Sequence, residues 1–228
     1  MPLLMLDLDN TLIDRDAAFL ASARAFLAEH GLPGSDLGWI AELDASGYTP
    51  EDRMAAALAA RYGSSVPARA VDALLDNGGA DLVEVAAPTR RALARARADG
   101  WACVIVTNGR TGQQEAKIRR TGLDRIVQGW VVSEAVGHKK PAPEIFRAAA
   151  ETVGQPLSGA WMVGDSAHAD IAGAHALGLG SVWVSAGRPW AQDAYRPTLV
   201  AEDVATAIGH ALDHACGGAT GGGATGGR

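Results

Sequence analysis

Short apolar runs alternate with stretches of helical period along most of this chain. The first run covers residues 3–6 and ends at Asp7. Similar runs follow at 101–106, 130–132, 160–163 and 181–184. A short continuous apolar run is typical of a strand that is buried on both faces of a parallel sheet. The pattern therefore predicts a series of buried strands separated by helices.

The segments between these runs carry apolar residues at a spacing of three and four, which is the period of an amphipathic helix. This spacing predicts helices over 88–99, up to Thr121, over 143–153, over 168–177 and over 202–214. Repeated β–α units imply a parallel sheet with helices on both faces and right-handed crossovers. The predicted fold class is α/β with a Rossmann-like sheet.

Residues from about 15 to 80 have a different pattern. Phe19, Phe26, Met54 and Leu74 belong to helical faces, and this stretch contains no strand candidate. It predicts a small all-α domain inserted after the first strand. The predicted domains are a core of 1–14 and 87–216, a helical insertion of 15–86, and a disordered Gly-rich tail of 217–228.

The composition narrows the range of partners. A net charge of −6 over 228 residues argues against a nucleic-acid polymer or an acidic membrane surface. No segment approaches the roughly 20 apolar residues of a membrane span, and no basic leader precedes the first run. Cys103 and Cys216 form neither a disulfide framework nor a metal motif. These features predict a cytoplasmic protein, either a monomer or a homodimer, that does not act at a membrane.

Two aspartates mark the end of the first strand. Asp7 and Asp9 fall where open α/β sheets bind their ligands. Two carboxylates placed close together repel one another and lose solvation, and a bound cation relieves both costs. The pair predicts a metal site in which one acid attacks a substrate and the other moves protons.

Further polar groups follow three later strand candidates. Thr107-Asn108-Gly109 offers a hydroxyl and an amide that can hold a phosphate oxygen. Lys140 directly precedes Pro141. Asp165 follows another strand, and Asp170 lies about one turn into the next helix, from where it can support the site. Chemistry-bearing residues at successive strand ends predict one common site.

The residues DLDNT (7–11), TNG (107–109), the lysine before proline (140–141) and GDSAHAD (164–170) resemble the four ordered motifs of haloacid dehalogenase-like hydrolases. TNGRTGQQEAKIRRTGL (107–123) and SEAVGHKKPAPEIF (133–146) resemble the branch of pyrimidine 5′-nucleotidases and N-acylneuraminate-9-phosphatases, which also contains 2-haloacid dehalogenases. The helical insertion is similar to the cap domain of that family. The resemblance covers the chain from Asp7 to at least Asp170.

The resemblance implies a role for each catalytic residue. Asp7 would be the nucleophile that forms an aspartyl-phosphate intermediate. Asp9 would protonate the leaving oxygen and then deprotonate the attacking water. Thr107 and Asn108 would hold the transferring phosphoryl group, and Lys140 would bind it and neutralise charge in the transition state.

The resemblance also implies a Mg²⁺ cofactor. Its ligands would be the carboxylates of Asp7 and Asp165 and the main-chain carbonyl of Asp9. Asp170 would support these ligands from behind. Arg188 is one of several residues that could line the mouth of the site, and we interpret it as structural.

The resulting hypothesis is a Mg²⁺-dependent phosphatase that hydrolyses a small phosphorylated metabolite. Asp9 favours this activity over 2-haloacid dehalogenation, because dehalogenases of the family lack that acid. A phosphomutase shares the aspartate pair and stays open as an alternative. A non-catalytic phosphate-binding domain is the other alternative, although no motif residue is missing. The motifs do not identify the substrate.

Overall fold

The strands of the chain form one parallel sheet. The computed structural model describes residues 1–218, with side chains up to residue 215. Within this part the strands are β1 (Leu3–Leu6), β2 (Ala102–Thr107), β3 (Gly129–Val132), β4 (Trp161–Gly164), β5 (Gly180–Val184) and β6 (Leu199–Ala201). They pair in parallel in the order β3-β2-β1-β4-β5-β6. The predicted α/β class is confirmed, and β6 is a strand that the sequence pattern did not predict.

Helices connect these strands. They are α1 (Arg15–Glu29), α2 (Leu37–Asp44), α3 (Glu51–Tyr62), α4 (Ala68–Asn77), α5 (Ala87–Ala98), α6 (Thr111–Arg120), α7 (Ser133–Val136), α8 (Pro143–Thr152), α9 (Ala172–Ala176) and α10 (Val204–Gly218). A π-helical turn at Ala167–Ile171 precedes α9. From residue 219 onward the predicted disordered tail lies outside the described residues. None of the helices described is both long enough and apolar enough to cross a membrane.

Both faces of the sheet are buried. Leu3 and Met5 of β1 pack with Ile145 and Phe146 of α8 in one apolar cluster. Because side chains alternate along a strand, Leu4 and the other even-numbered residues of β1 point to the opposite face. There α5 contacts β2, and α10 contacts β4 and β5. A sheet covered on both faces explains why its strands are continuous apolar runs.

The strand order reverses at β1. After β1 the chain reaches β2 and β3 on one side, and it then returns to β4 on the other side. Leu6 of β1 aligns with Ile105 of β2 and with Val163 of β4. Such a reversal leaves a crevice beyond the carboxyl ends of the two diverging strands, where α/β proteins bind ligands.

Contacts along the chain separate two compact units. The sheet unit comprises Met1–Leu12, Val85–Thr111 and the chain from Leu123 onward, and the helical unit comprises Ile13–Glu84 and Gly112–Gly122. The helical unit has its own apolar core, which includes Phe19, Phe26, Ile40, Met54, Leu58, Tyr62, Val71 and Leu74. The domain boundaries derived from the sequence stay a prediction.

Asp36, directly before α2, connects that helix to the end of α3 within the helical unit. Its carboxylate accepts hydrogen bonds from Nε and Nη2 of Arg61 at 3.0 and 2.7 Å and from the hydroxyl of Tyr62 at 3.1 Å. Mainly the hydrogen bonds from Arg61 hold the pKa of Asp36 below its usual value. This carboxylate therefore stabilises the helical unit in its charged form.

Candidate active site

Three adjacent strands deliver polar side chains to one edge of the sheet. Asp7 directly follows β1, Thr107 is the last residue of β2, and Asp165 directly follows β4. The backbone N–H of Asp7 donates to the carbonyl of Val163 at 2.9 Å, so the β1–β4 pairing extends to the first aspartate. The structure thus brings the first, second and fourth sequence motifs to the reversal point of the sheet.

Asp7 is buried and holds two side-chain hydrogen bonds. Oδ1 accepts from Nζ of Lys140 at 2.6 Å, and Oδ2 accepts from Oγ1 of Thr11 at 3.1 Å. Burial raises the pKa of Asp7 to about 8, with further contributions from the Asp170 and Asp165 carboxylates, while Lys140 opposes the rise. A carboxylate in this position needs nearby positive charge to stay ionised.

Lys140 brings the third motif into contact with the first and fourth. Its side chain is 2% exposed, and Nζ contacts Asp7, the carbonyl of Val106 at 2.7 Å and Oδ1 of Asp170 at 2.8 Å. Burial disfavours the charged ammonium, but Asp170 and Asp7 outweigh burial and raise the pKa of Lys140. The ammonium therefore stays charged beside the predicted nucleophile.

Asp170 is fully buried behind this ion pair. Its Oδ2 accepts the backbone N–H of Ser166 at 3.0 Å. Its Oδ1 contacts Lys140 without hydrogen-bond geometry, which leaves that buried oxygen without a hydrogen bond. Gly164 makes room for the carboxylate, because a Cβ on Gly164 would overlap it. The glycine and the aspartate of the fourth motif thus form one packed pair.

The acidic residues suit a divalent cation. Carboxylate oxygens of Asp7, Asp165 and Asp170 lie within 4.8 Å of one another. Burial, followed by the Asp170 charge, raises the pKa of Asp165 to about 7, while Arg188 opposes the rise. Crowded carboxylates with raised pKa values are stabilised by a bound cation, and an all-oxygen donor set is what Mg²⁺ prefers. The residues present therefore fit the predicted metal. Asp9 lies outside this cluster, half-buried in the turn that follows Leu8.

Asn108 contacts the third motif. Its Oδ1 accepts the backbone N–H of Lys140 at 2.8 Å, and its Nδ2 donates to the Lys140 carbonyl at 3.1 Å. Thr107 is buried beside it. The predicted role of both residues in holding a phosphoryl group stays a prediction. The observed contacts of the Asn108 amide also position Lys140.

Thr11 is a site residue whose role the sequence did not show. Its hydroxyl donates to Asp7 and accepts the backbone N–H of Asp165 at 3.1 Å. One side chain therefore joins the segments that follow β1 and β4. The DLDNT motif contains this threonine, so the residue was visible, but its dual contact depends on strand pairing that no local pattern reveals.

Ser133 and Glu134 were also missed. Oγ of Ser133 accepts the backbone N–H of Gly109 at 3.0 Å and donates to its carbonyl at 3.3 Å. Glu134 accepts the backbone N–H of Thr111 at 2.7 Å, and this hydrogen bond holds the pKa of Glu134 below its usual value. Both residues follow β3 directly. They fix the segment that carries the second motif.

This arrangement supplies the parts of a nucleophilic displacement. One buried carboxylate is oriented by a hydroxyl and an ammonium, a second acid lies two residues later, and further carboxylates form a cluster that could hold a cation. Such a constellation can stabilise charge on a transferring anionic group and form a covalent intermediate on the oriented carboxylate.

Comparison with known proteins agrees with the sequence motifs. The sequence model of the haloacid dehalogenase-like hydrolase family matches residues 1–178 of this chain. Glyceraldehyde 3-phosphate phosphatase of Pyrococcus abyssi is 35% identical over 99 residues, which make up 43% of this chain and 42% of that protein. The pyrimidine 5′-nucleotidase YjjG of Escherichia coli is 42% identical over 83 residues, which make up 36% of this chain and 37% of that protein. The chain thus matches about two fifths of the length of these relatives.

A solved structure shows the same fold over a longer stretch. The magnesium-bound crystal structure of the HAD-hydrolase YfnB from Bacillus subtilis superposes with a TM-score of 0.74. The superposition covers 93% of this chain and 98% of that one at 21% sequence identity. The predicted resemblance, which included pyrimidine 5′-nucleotidases, is confirmed. Four ordered motifs that meet at one sheet edge, a matching family model and a shared fold lead to one conclusion: this chain belongs to the haloacid dehalogenase-like hydrolase family.

Proposed function

We propose that the protein is a Mg²⁺-dependent phosphatase that hydrolyses a small phosphate monoester through an aspartyl-phosphate intermediate. One observation carries the proposal. The buried carboxylate of Asp7 is held between the ammonium of Lys140 and the hydroxyl of Thr11, next to further carboxylates that suit a cation. Such a site favours an anionic substrate, whose charge Lys140 and the metal balance.

In the proposed mechanism Asp7 attacks phosphorus in line and the ester oxygen leaves. Asp9 protonates that oxygen and then takes a proton from the water that hydrolyses the intermediate. Thr107 and Asn108 hold the transferring phosphoryl group. Lys140 stabilises the negative charge that develops on the phosphoryl oxygens.

The proposed cofactor site consists of the Asp7 and Asp165 carboxylates and the Asp9 carbonyl. Asp170 supports it through its contacts with Lys140 and Ser166. When bound, Mg²⁺ would neutralise charge on the phosphoryl group and keep Asp7 ionised. The close approach of the Asp7, Asp165 and Asp170 carboxylates supports the two carboxylate ligands, and the Asp9 carbonyl is proposed from the motif alone.

Asp9 separates the proposed activity from 2-haloacid dehalogenation. A halide leaves without protonation, so a dehalogenase needs no acid at this position, whereas an alkoxide leaving group does. The relatives named above are a phosphatase and a nucleotidase, and both names denote hydrolysis of phosphate monoesters. A small phosphorylated metabolite is therefore the proposed substrate class. Cytoplasmic location and a monomeric or homodimeric state stay predictions from the sequence.

Release of inorganic phosphate from p-nitrophenyl phosphate and from a panel of phosphorylated metabolites tests the proposal. We expect turnover with Mg²⁺, loss of turnover with a chelator, and recovery when Mg²⁺ is restored. Asp7→Asn should abolish turnover, whereas Asp193→Asn, at an exposed aspartate, should not change it. Metal-independent halide release from a 2-haloacid, without phosphate release from any ester, would overturn the proposal.

A further inference from the structure

The chain after β4 is held by β5 and by the segment that follows β5. Nε1 of Trp183 donates to the carbonyl of Asp165 at 2.9 Å, and Nη2 of Arg188 donates to the same carbonyl at 3.1 Å. The same Nη2 contacts Oδ2 of Asp165 at 3.2 Å. A positive charge of the protein thus already contacts one carboxylate of the acidic cluster.

Main-chain contacts hold the guanidinium of Arg188 in place independently of that carboxylate. Nε donates to the carbonyl of Ser185 at 2.9 Å, and Nη2 donates to the carbonyl of Val184 at 3.1 Å. The guanidinium carbon lies 5.7 Å from the ring centroid of Trp183. With the Asp165 carbonyl, three backbone oxygens fix the group. The charge therefore stays beside Asp165 when its carboxylate takes another partner.

We propose that Arg188 is a built-in counter-ion that competes with the divalent cation for Asp165 and so weakens metal binding. A Mg²⁺ ion would bind carboxylate oxygens at a metal–oxygen distance of roughly 2.0–2.1 Å. An ion bound to Asp165 would therefore lie close to the guanidinium that contacts the same carboxylate. Two cations that share one carboxylate repel each other. This inference rests on the proposed function, because it requires that the acidic cluster binds a metal.

Solvent limits the size of the effect. The Arg188 side chain is 50% exposed, so water and salt screen its repulsion of the cation. We expect removal of its charge to tighten metal binding by about threefold to tenfold rather than by orders of magnitude. While no metal is bound, the same charge stabilises the crowded carboxylates. Arg188 thus stabilises the cluster of carboxylates while no metal is bound, and it keeps a bound cation exchangeable.

Titration of the substrate-free protein with Mn²⁺, with free Mn²⁺ followed by electron paramagnetic resonance, tests the inference. Arg188→Gln and Arg188→Met both remove the charge, and the methionine keeps an unbranched stem beside Trp183. Both variants should bind Mn²⁺ about threefold to tenfold more tightly than wild type. Arg188→Lys keeps a positive charge but loses the set of main-chain hydrogen bonds, so its Mn²⁺ affinity should lie between those of wild type and the neutral variants. Arg196→Gln removes an exposed arginine of the same segment and should change nothing.

The possible outcomes separate this inference from the proposed function. Unchanged Mn²⁺ affinity in both neutral variants would overturn the competition. Weaker affinity would also overturn it, and would show instead that Arg188 holds Asp165 in its metal-binding position. If wild-type protein binds no Mn²⁺, the proposed function itself fails. If wild type binds Mn²⁺, Asp165→Asn abolishes binding and the neutral variants match wild type, the function stands and only the competition fails.

Discussion

The side-chain amide of Asn108 pairs with the peptide of Lys140 through two hydrogen bonds. Oδ1 accepts the Lys140 N–H at 2.8 Å, and Nδ2 donates to the Lys140 carbonyl at 3.1 Å. The residue that follows β2 therefore fixes the backbone of the lysine whose ammonium contacts Asp7 and Asp170. Any catalytic effect of Asn108 can act through the position of that ammonium.

Asn108→Ala removes both hydrogen bonds and frees the Lys140 backbone. We expect kcat on p-nitrophenyl phosphate to fall about 10- to 100-fold, because a misplaced ammonium no longer stabilises the transition state. KM should change less than about threefold, and Mn²⁺ affinity should stay unchanged. Lys139→Ala, at the exposed neighbour, is the control and should match wild type. A raised KM with unchanged kcat would instead indicate that Asn108 acts through its proposed contact with the phosphoryl group and not through the position of Lys140.

Asp9→Asn tests proton transfer to the leaving group. The variant should lose about 10²- to 10⁴-fold in kcat/KM on alkyl phosphates, whose alkoxides need a proton to leave. It should lose much less in the first chemical step on p-nitrophenyl phosphate, because p-nitrophenolate leaves unprotonated. Comparison of burst and steady-state rates for the two ester types measures the difference. Equal losses in the first step would show that Asp9 does not protonate the leaving oxygen.

Thr11→Val removes the hydroxyl that joins Asp7 to Asp165. The backbone N–H of Asp165 then loses its acceptor, and Asp7 loses a donor. We expect the free energy of unfolding to fall by about 1–3 kcal/mol, measured by urea denaturation. Thr11→Ser keeps the hydroxyl and should retain most of the stability. Equal stability of the valine and serine variants would contradict the proposed link.

Gly164→Ala places a methyl group against the Asp170 carboxylate. The carboxylate or the backbone must move, so we expect a loss of about 1–3 kcal/mol in the free energy of unfolding. Phosphatase activity should fall with it, because Lys140 loses an ion-pair partner. Gly112→Ala provides the matched control, since nothing lies within 4 Å of its Cβ position at the start of α6. If the two variants unfold at the same urea concentration, the packing argument is wrong.

Asp36→Asn should make the stability of the protein less dependent on pH in the acidic range. The pKa of Asp36 is lowered by Arg61, so its contribution is present above the pKa of unfolded aspartate, about 4, and disappears as the pH falls through its lower folded value. The variant should therefore melt below wild type at about pH 7. The gap in Tm should close as the pH falls below about 4. Asp72→Asn, at an exposed residue of α4, should show no such pattern.

Local periodicity was sufficient to predict most of the sheet. The apolar runs before Asp7 and at 101–106 became β1 and β2, because a parallel sheet covered on both faces needs continuous hydrophobic strands. The strand β6 escaped prediction. It has only three residues, and Val200 within it is 49% exposed, so its segment lacks a clear apolar pattern.

Residues of the candidate site could be predicted where a sequence motif indicates their chemistry. They could not be predicted where a contact depends on pairing between segments that are distant in the sequence. Asp7 and Asp165 were identified from their positions after strand candidates, and Lys140 from its position directly before Pro141. The contacts of Thr11 and Arg188 with Asp165 join residues 154 and 23 positions apart. The hydrophobic periodicity of a segment carries no information about contacts between residues so far apart in the sequence. The same holds for the amide of Asn108, whose partner lies 32 residues away.

The placement of β1 between β2 and β4 has a consequence for synthesis on the ribosome. Asp7 is synthesised well before its partner Lys140, which lies 133 positions later, and the Thr11 hydroxyl can accept the N–H of Asp165 only after that residue has been made. A nascent chain can therefore complete the helical unit before it completes the candidate site, because Asp7 needs Lys140 and the Thr11 contact needs the segment that follows β4. The candidate site is therefore complete only after the segment that follows β4 has been made, so shorter chains carry Asp7 without all of its partners.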